Sequence, residues 1–397
     1  MFKKIRDCQV NGKVVFVRAD MNVSIKNGKI LDDTRIKATL PTIEFLIKNG
    51  AKVVLATHLG KAAGTGFQEE FSLKLVYNRL KELLPNIKIN YVDDCIGDKV
   101  KQAIKNTNFG EVILLENLRF HAGEEANSPE FAKALSELAD IYVNDAFSTC
   151  HRKHASMVGM PEIMDSYAGF NLEYELDNLT ALVSNPEKPL MVIVGGSKVS
   201  TKLELLKALI KKADFIVVGG GIANTFLCAR HYNVGKSLKE DELIDTAGDL
   251  LKEAEANNCE IILPTDVVVA KEVAENQQTK MISVDSISNE DIIVDLGDKT
   301  IADIESKLKL CRVVIWNGPI GIYEINPFNR GTDKLAGIIA NMTEKEEIKS
   351  VAGGGDILAA LSRAGLSNKF TYLSTAGGAF LKWLEKGSLP AVEKLKK

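Results

Sequence analysis

A glycine turn flanked by two lysines offers the clearest chemistry in the sequence. An apolar run over 190–194 has the length and β-branched content of a buried strand, and Gly195 and Gly196 follow it directly. Lys198 and Lys202 come next, where leucines begin to recur at helical spacing. Because glycine has no Cβ, backbone N–H groups and the positive end of a helix can approach an anion closely here. An ordinary strand-to-helix turn with solvated lysines explains the same residues as well, since short glycine motifs often match by chance.

Further glycines end the apolar runs of the second half of the chain. They are Gly219–Gly221, Gly318, Gly321, Gly353–Gly355 and Gly377–Gly378. Backbone amides at such turns are what nucleotide phosphates need, so this half is predicted to bind a nucleotide. Asp356 could hold Mg²⁺, a hard cation that takes carboxylate and phosphate oxygens. It could also cap a helix, and the two roles are compatible.

Cationic and polar side chains end the apolar runs of the first half, or lie in the loops that follow. They are Arg18, Asp20, Asn22, Arg35, His58, Lys61, Arg119, His151 and Arg152. Guanidinium groups match phosphate and carboxylate oxygens bidentately, so the set indicates a small polyanion as ligand. Solvation explains any one arginine better, but it does not explain all of them at strand ends. A metal pair at His151 and His154 is disfavoured, because no third ligand has a recognisable spacing.

These side chains need parallel strands to position them. Apolar runs alternate with segments of helical spacing along the chain, which predicts βαβ units whose ligands bind beyond the carboxyl ends of the strands. The predicted strands are 14–17, 53–56, 112–115, 141–143, 191–194, 215–218, 260–263, 312–316, 350–352 and 372–373. The predicted helices include 39–48, 72–84, 129–139 and 239–256. Ser128 before Pro129 is a favourable helix start.

The expected fold is α/β, with two doubly wound, Rossmann-like parallel-sheet domains joined by a helix and a hinge. A chain of 397 residues suits two domains. We predict an anion-binding domain over 1–170 and a nucleotide-binding domain over 189–375. Between them, 171–188 carries leucines on one helical face before two prolines break the helix.

Composition disfavours several classes of protein. The net charge of −3 implies no whole-surface attraction to nucleic acid or anionic membrane. The six cysteines include no C-x-x-C pair, which argues against a zinc site and a disulfide framework and favours a reducing cytosol. The sequence has no apolar signal region and no run near the ~20 residues of a spanning helix. A cytoplasmic monomer without nucleic-acid or membrane partners is expected.

Two standard nucleotide motifs are incomplete. A G-x-x-x-x-G-K-[ST] loop ends at 235–237, but Arg230 occupies its first glycine position. A G-x-G-x-x-G/A fingerprint begins at 219–221 but has Asn224 at its third glycine, and another start at 353–355 fails in the same way. The chain is therefore neither a standard P-loop enzyme nor a standard Rossmann dehydrogenase.

In their order and spacing, the motifs of the chain resemble those of phosphoglycerate kinases, from Val14 almost to the C-terminus. The matching pieces are VRADMN, HLGK, LLENLRF, NDAFSTCHR, GGSKVSTK, GGGIANTF, WNGPIGIYE, AGGGD and STAGGA. Each is weak alone, whereas the ordered set is specific. The resemblance implies the glycolytic reaction in which 1,3-bisphosphoglycerate and Mg-ADP reversibly give 3-phosphoglycerate and Mg-ATP.

The resemblance also implies residue roles. The implied triose-binding residues of the first domain are Asp20, Asn22, Arg35, His58, Lys61, Arg119 and Arg152. The implied nucleotide-binding residues are Gly195, Lys202, Gly219, Gly220, Gly297, Asn317, Pro319, Glu324, Gly353, Gly354, Gly355, Asp356 and Ile357. Glu324 would bind the ribose and Asp356 the Mg²⁺ ion. The residues around the phosphoryl group in flight would be Arg35, Lys198, Gly354 and Gly377. Residues 376–397 would pack back on the first domain, and hinge closure would align the substrates and exclude water.

Five residues depart from the usual pattern of the family. They are Lys61 for Arg, Thr201 for Asp, Ile357 for Thr or Ser, Ala376 for Gly and Phe380 for a small polar residue. We expect them to tune affinity without abolishing activity. Two rival interpretations are a divergent nicotinamide dehydrogenase, which the failed third glycines disfavour, and a non-catalytic protein that binds nucleotide without turnover.

Overall fold

The computed structural model describes residues 2–62 and 64–396 and divides into two compact units. Unit one comprises the described residues up to Asp177 and those from Ser388 onward, and unit two comprises Asn178–Gly387. The sequence-based boundaries fell at 170 and 375 instead. The first change of unit lies inside a helix, and residues 376–387, expected on the first domain, belong to unit two.

Unit one is built on a six-stranded parallel sheet. Its strands, together with a short ribbon formed by β2 and β3, are β1 Val14–Ala19, β2 Ile25–Lys26, β3 Lys29–Ile30, β4 Lys52–Ala56, β5 Ile89–Tyr91, β6 Val112–Leu114, β7 Ile141–Asp145 and β8 Ser166–Ala168. The spatial order is β5-β6-β4-β1-β7-β8, and every neighbouring pair is parallel. Strand β4 is buried along its whole length, as expected of a sheet covered on both faces.

Helices cover both faces of this sheet. They are α1 Thr34–Lys48, α2 Lys74–Leu83, α3 Asp98–Asn106, α4 Ala122–Glu125, α5 Pro129–Ser136, α6 Met160–Ile163 and α7 Phe170–Leu179. Val15 and Val17 of β1 enter one apolar core and Phe16 enters the other, because successive strand residues point to opposite faces. The predicted start of α5 is confirmed, since the hydroxyl of Ser128 accepts a hydrogen bond from Phe131 N at 3.3 Å.

Unit two contains two sheets. Its strands are β9 Leu190–Val194, β10 Phe215–Val218, β11 Glu260–Ile262, β12 Asp266–Ala270, β13 Lys280–Ser283, β14 Ile292–Leu296, β15 Val313–Asn317, β16 Lys349–Gly353 and β17 Tyr372–Ser374. The main sheet is parallel, in the order β11-β10-β9-β15-β16-β17. The smaller antiparallel sheet, β13-β12-β14, was not predicted. The parallel α/β architecture of both units confirms the predicted fold class.

The remaining helices are α8 Leu203–Ile210, α9 Gly220–Ala229, α10 Ile244–Ala256, α11 Asp298–Leu308, α12 Arg330–Glu344, α13 Gly355–Arg363, α14 Gly378–Lys386 and α15 Pro390–Glu393. Helix α14 belongs to unit two because it buries Phe380 and Trp383 there, and Trp383 Nε1 donates to Ser184 Oγ at 3.2 Å. Within the described part of the chain, every helix is too short or too polar to cross a bilayer.

Candidate functional site

The loops after β9 and β15 pack backbone against backbone at one edge of the main sheet of unit two. A Cβ added to Gly195 would lie only 1.8 Å from the carbonyl oxygen of Pro319. Gly318 has a φ of +82°, and a Cβ added to it would lie 2.4 Å from Gly195 O. The buried indole of Trp316 donates to Gly318 O at 2.7 Å and holds this loop in place. Only residues without a Cβ allow the two strand ends to approach so closely.

A cleft of about 870 Å³ lies beyond these strand ends, entirely within unit two. The predicted residues that line it are Gly195, Lys202, Gly220, Asn317, Pro319, Glu324, Gly354, Gly355, Asp356 and Gly377. One wall is apolar and includes Ala223, Leu238, Val273 and Val294. Sequence reasoning missed this wall because Val294 belongs to the unpredicted antiparallel sheet. Leu238 and Val273 lie in loops and carried no pattern that could have identified them.

Five residues predicted for this site do not line the cleft: Lys198, Gly219, Gly297, Gly353 and Ile357. Two of the glycines are instead required for packing. A Cβ on Gly219 would lie 2.5 Å from the Cα of Ile320, and a Cβ on Gly353 would lie 2.5 Å from the ring of Phe380.

Gly297, Ile357 and Lys198 each lie outside the cleft lining in a different environment. Gly297 packs against the carboxylate of Asp266, which would lie 2.2 Å from an added Cβ. The side chain of Ile357 is fully buried in the apolar core, so only its backbone is available to a ligand in the cleft. Lys198 is exposed, one residue beyond Ser197, which does line the cleft.

An amide connects three structural elements at the bottom of the cleft. Lys202 Nζ donates to Asn317 Oδ1, and Asn317 Nδ2 donates to the carbonyl oxygen of Gly353. Burial lowers the pKa of Lys202, and the nearby carboxylate of Asp356 opposes that shift. No carboxylate among the described residues forms an ion pair with Lys202 within 4 Å, so its charge is available to an anion.

Asp356 lies in the first turn of α13 and faces the cleft, where it is exposed. The helix-capping alternative is wrong, because Gly354 occupies the cap position. An exposed carboxylate beside two glycine-rich helix starts, those of α13 and α14, suits a hard cation that also takes phosphate oxygens. The donor set therefore fits Mg²⁺ bound together with a nucleotide.

In unit one, the ends of β1 and β4 gather a cluster of cations. Arg18 is buried; its Nε donates to Ser156 Oγ at 3.0 Å and its Nη2 to His58 Nδ1 at 3.3 Å. Burial lowers the pKa of His58 well below its ordinary value, and the charges of Arg18, Arg119 and Arg152 lower it further. His58 is therefore neutral, and since arginine can only donate, the imidazole proton is on Nε2.

Arg119 is buried within the same cluster. Burial lowers its pKa, as does the neighbouring charge of Arg152. Its Nη1 donates to Gly60 O at 2.6 Å, while its Nη2 has no hydrogen-bond partner among the described residues. A buried guanidinium with an unused donor is costly unless a ligand completes its hydrogen bonds.

Polar side chains extend the cluster on the other side of Gly60. Asn22 Oδ1 accepts from Gly60 N at 2.8 Å, and Asp20 Oδ2 accepts from Arg35 Nη1 at 2.9 Å. Lys61 follows Gly60 and is exposed. Hydrogen bonds thus join several of the predicted anion-binding residues of unit one, and Arg152 lies near enough to lower the pKa of both His58 and Arg119.

His154, one of the two histidines considered as metal ligands, lies beside a buried carboxylate. His154 Nδ1 lies 3.7 Å from Oε1 of Glu124, a fully buried carboxylate. Burial lowers the pKa of His154 to about 3, and the charge of Arg18 contributes. His154 is therefore a neutral neighbour of the cluster, and sequence reasoning gave Glu124 no role.

Comparison with known proteins relates these features to a family. The family model described as phosphoglycerate kinase matches residues 5–387. A phosphoglycerate kinase of Xanthobacter flavus is 49% identical over 385 residues, covering 97% of this chain and 96% of the relative. The solved structure of the Coxiella burnetii phosphoglycerate kinase has a TM-score of 0.92 at 41% identity, covering 100% of this chain and 98% of the other. The enzyme from Pyrococcus horikoshii OT3 has a TM-score of 0.80 at 31% identity, with the same coverage.

Proposed function

Because the chain belongs to the phosphoglycerate kinase family, we propose that the cleft of unit two binds ADP or ATP and that the cationic cluster of unit one binds the phosphoglycerate substrate. The enzyme is a phosphotransferase with a carboxyl group as acceptor. Its glycolytic reaction interconverts 1,3-bisphosphoglycerate plus ADP and 3-phosphoglycerate plus ATP. The observation that carries the assignment of sites is the gathering of Lys202, Asp356 and the glycine loops around one cleft.

The nucleotide is assigned to this cleft by matching its chemistry to the walls. The phosphates would meet Lys202 and the amides at the starts of α13 and α14, where helix dipoles favour negative charge. Glu324 is the proposed acceptor for ribose hydroxyls. The apolar wall, with its exposed Leu238 and Val273, offers a stacking surface for the base.

Asp356 is the proposed ligand of Mg²⁺, with nucleotide phosphates completing the coordination shell. The ion, when bound, neutralises charge on the transferring phosphate. No described side chain is asked to act as a general base, because a carboxylate is itself a competent acceptor of a phosphoryl group.

The phosphoglycerate is assigned to Arg18, Arg119 and Arg152 and their polar neighbours. An anion would satisfy the unused donor of Arg119 and neutralise charges that now repel one another. His58 would donate from Nε2 as a neutral group. Asp20, Asn22, Arg35 and Lys61 complete the proposed substrate-binding set.

Catalysis in this scheme is positioning and stabilisation of charge. The transferring group spreads negative charge over three equatorial oxygens, so cations and amides around it lower the barrier. Arg35, Lys198 and the amides near Gly354 and Gly377 are the proposed catalytic groups. Because the two substrates are assigned to different units, we propose that closure about the connecting segment aligns them during turnover.

We also propose a cytoplasmic monomer that binds neither nucleic acid nor membrane. The near-neutral net charge of −3 supports the absence of polyanionic partners. All six cysteines are free thiols, as is usual in a reducing compartment.

The test is phosphoryl transfer from Mg-ATP to 3-phosphoglycerate, followed by coupled NADH oxidation, in wild type and lysine variants. Lys202→Ala should raise KM for ATP at least tenfold, and Lys198→Ala should lower kcat about 100-fold, the usual effect of losing one charge-stabilising donor. Lys207→Ala is the matched control, since its exposed side chain on α8 only pairs with Glu204 at 3.2 Å. Nucleotide binding without turnover in the wild type would favour the non-catalytic interpretation. A fully active Lys198→Ala would remove that lysine from catalysis.

A further inference from the structure

Three side chains able to bind a metal meet in unit one, outside the cationic cluster. Asp94 and Cys95 follow β5, and His121 directly precedes α4. Asp94 Oδ1 and His121 Nε2 are 2.7 Å apart, and all three ligand atoms, including Cys95 Sγ, lie within 4.8 Å of one another. His121 is far from the other two residues in the sequence, so the spacing of cysteines alone gave no sign of the group.

We propose that Asp94, Cys95 and His121 bind a divalent metal ion of the zinc class. Thiolate, imidazole and carboxylate form the mixed ligand set that Zn²⁺ accepts, whereas Mg²⁺ and Ca²⁺ prefer oxygen alone. In a tetrahedral zinc site, ligand atoms lie about 3.3–3.6 Å apart, given bond lengths of about 2.0–2.3 Å. Separations up to 4.8 Å therefore need only small side-chain movements.

The surroundings hold the three side chains near this arrangement. Cys95 N donates to Asp94 Oδ1 at 2.6 Å, and the ring of His121 stacks on Phe131 with 5.1 Å between centroids. The side chains of Asp94 and His121 are 45% and 31% exposed, while Cys95 is fully buried beneath them. The group is thus open on one side, where an ion could enter and a water molecule could be the fourth ligand.

The charge of the group also favours a cation. Asp94 supplies a carboxylate, and Cys95 would supply a thiolate once the ion binds. On binding, the Cys95 S–H bond breaks, a bond from Sγ to the metal forms and one proton leaves to solvent. The hydrogen bond from Sγ to Glu116 O, 2.9 Å long without the metal, is then lost.

Cobalt(II) is the probe, because thiolate coordination gives a charge-transfer absorption band and tetrahedral geometry gives intense visible bands. The full chain, stripped with a chelator, should bind one Co²⁺ with both signals, and one equivalent of Zn²⁺ should displace it. Cys95→Ser should lose the charge-transfer band. His121→Gln and Asp94→Asn, at partly exposed positions, should weaken Co²⁺ binding at least tenfold while circular dichroism shows a native fold. Cys228→Ser, which alters a thiol of unit two, is the matched control and should keep both signals.

The proposal is overturned by folded wild-type protein that shows no charge-transfer band at stoichiometric Co²⁺. It is also overturned by a band that persists in Cys95→Ser, or by affinity that is unchanged in both His121→Gln and Asp94→Asn. In those cases the group is an Asp–His hydrogen bond above a buried thiol that donates to a carbonyl oxygen. None of these readouts depends on phosphoryl transfer, so they test the metal site separately from the proposed function.

Discussion

Replacing Gly195 by alanine should damage the proposed nucleotide site by forcing two backbone segments apart. The new Cβ would lie 1.8 Å from Pro319 O, whereas ordinary van der Waals contact begins near 3.4 Å, so the segments must separate by 3.4 − 1.8 = 1.6 Å. No side-chain rotation can relieve a clash with backbone. Overpacking of this kind costs about 1–3 kcal/mol of unfolding free energy. A displacement of about 1 Å at a site that positions a substrate can cost on the order of 100-fold in rate.

The assay compares Gly195→Ala with Gly337→Ala, a substitution inside α12 where an added Cβ meets nothing within 4 Å. Urea unfolding should show a loss of stability for the first variant and a gain of up to about 1 kcal/mol for the second, because alanine is the better helix former. Calorimetric titration with Mg-ADP should show at least tenfold weaker binding for Gly195→Ala only. Wild-type stability together with wild-type affinity in Gly195→Ala would refute the reasoning.

Two further predictions concern buried groups of unit two. Burial raises the pKa of Asp295 to about 7, so between pH 4 and 7 the folded protein keeps a proton that the unfolded chain, with a pKa near 3.9, has released. From pH 5 to pH 8, the unfolding free energy of the wild type should therefore fall by about 3 kcal/mol more than that of Asp295→Asn, as measured by urea unfolding. Equal falls in the two proteins would contradict this. Ile357→Thr should lose about 1–3 kcal/mol of unfolding free energy without a rise in kcat, because the new hydroxyl enters an apolar core. A higher kcat at unchanged stability would instead place that hydroxyl near the phosphates.

The parallel sheets were predictable because long apolar runs alternate with helical segments. Strands β5 and β8 were missed because Asn90 interrupts the first and Ser166 begins the second, so neither is an apolar run. The antiparallel sheet was missed for another reason. Strands β12 and β14 are mostly apolar, with one aspartate each, Asp266 and Asp295, and such short runs do not show whether a strand joins a parallel or an antiparallel sheet.

The sequence predicted which types of residue form the candidate site, but not which of those residues face the cleft. Glycine serves both anion binding and close packing, and the sequence signal is the same for each. Gly354 faces the cleft, whereas neighbouring Gly353 packs on Phe380, and only the fold separates the two roles. In the cationic cluster, the sequence identified Arg119 as a candidate. It could not show that one donor of Arg119 is buried without a partner among the described residues.

The amide of Asn317 implies a narrow tolerance to substitution at that position. It accepts a hydrogen bond from Lys202 through one atom and donates to Gly353 O through the other. Aspartate would set an oxygen against that carbonyl group, leucine would leave both partners unsatisfied, and serine has both capacities on a single atom with too short a reach. Selection acting on the ammonium of Lys202 therefore also acts on the amide that accepts its hydrogen bond, and we expect sequence variation at 202, 317 and 353 to be constrained jointly.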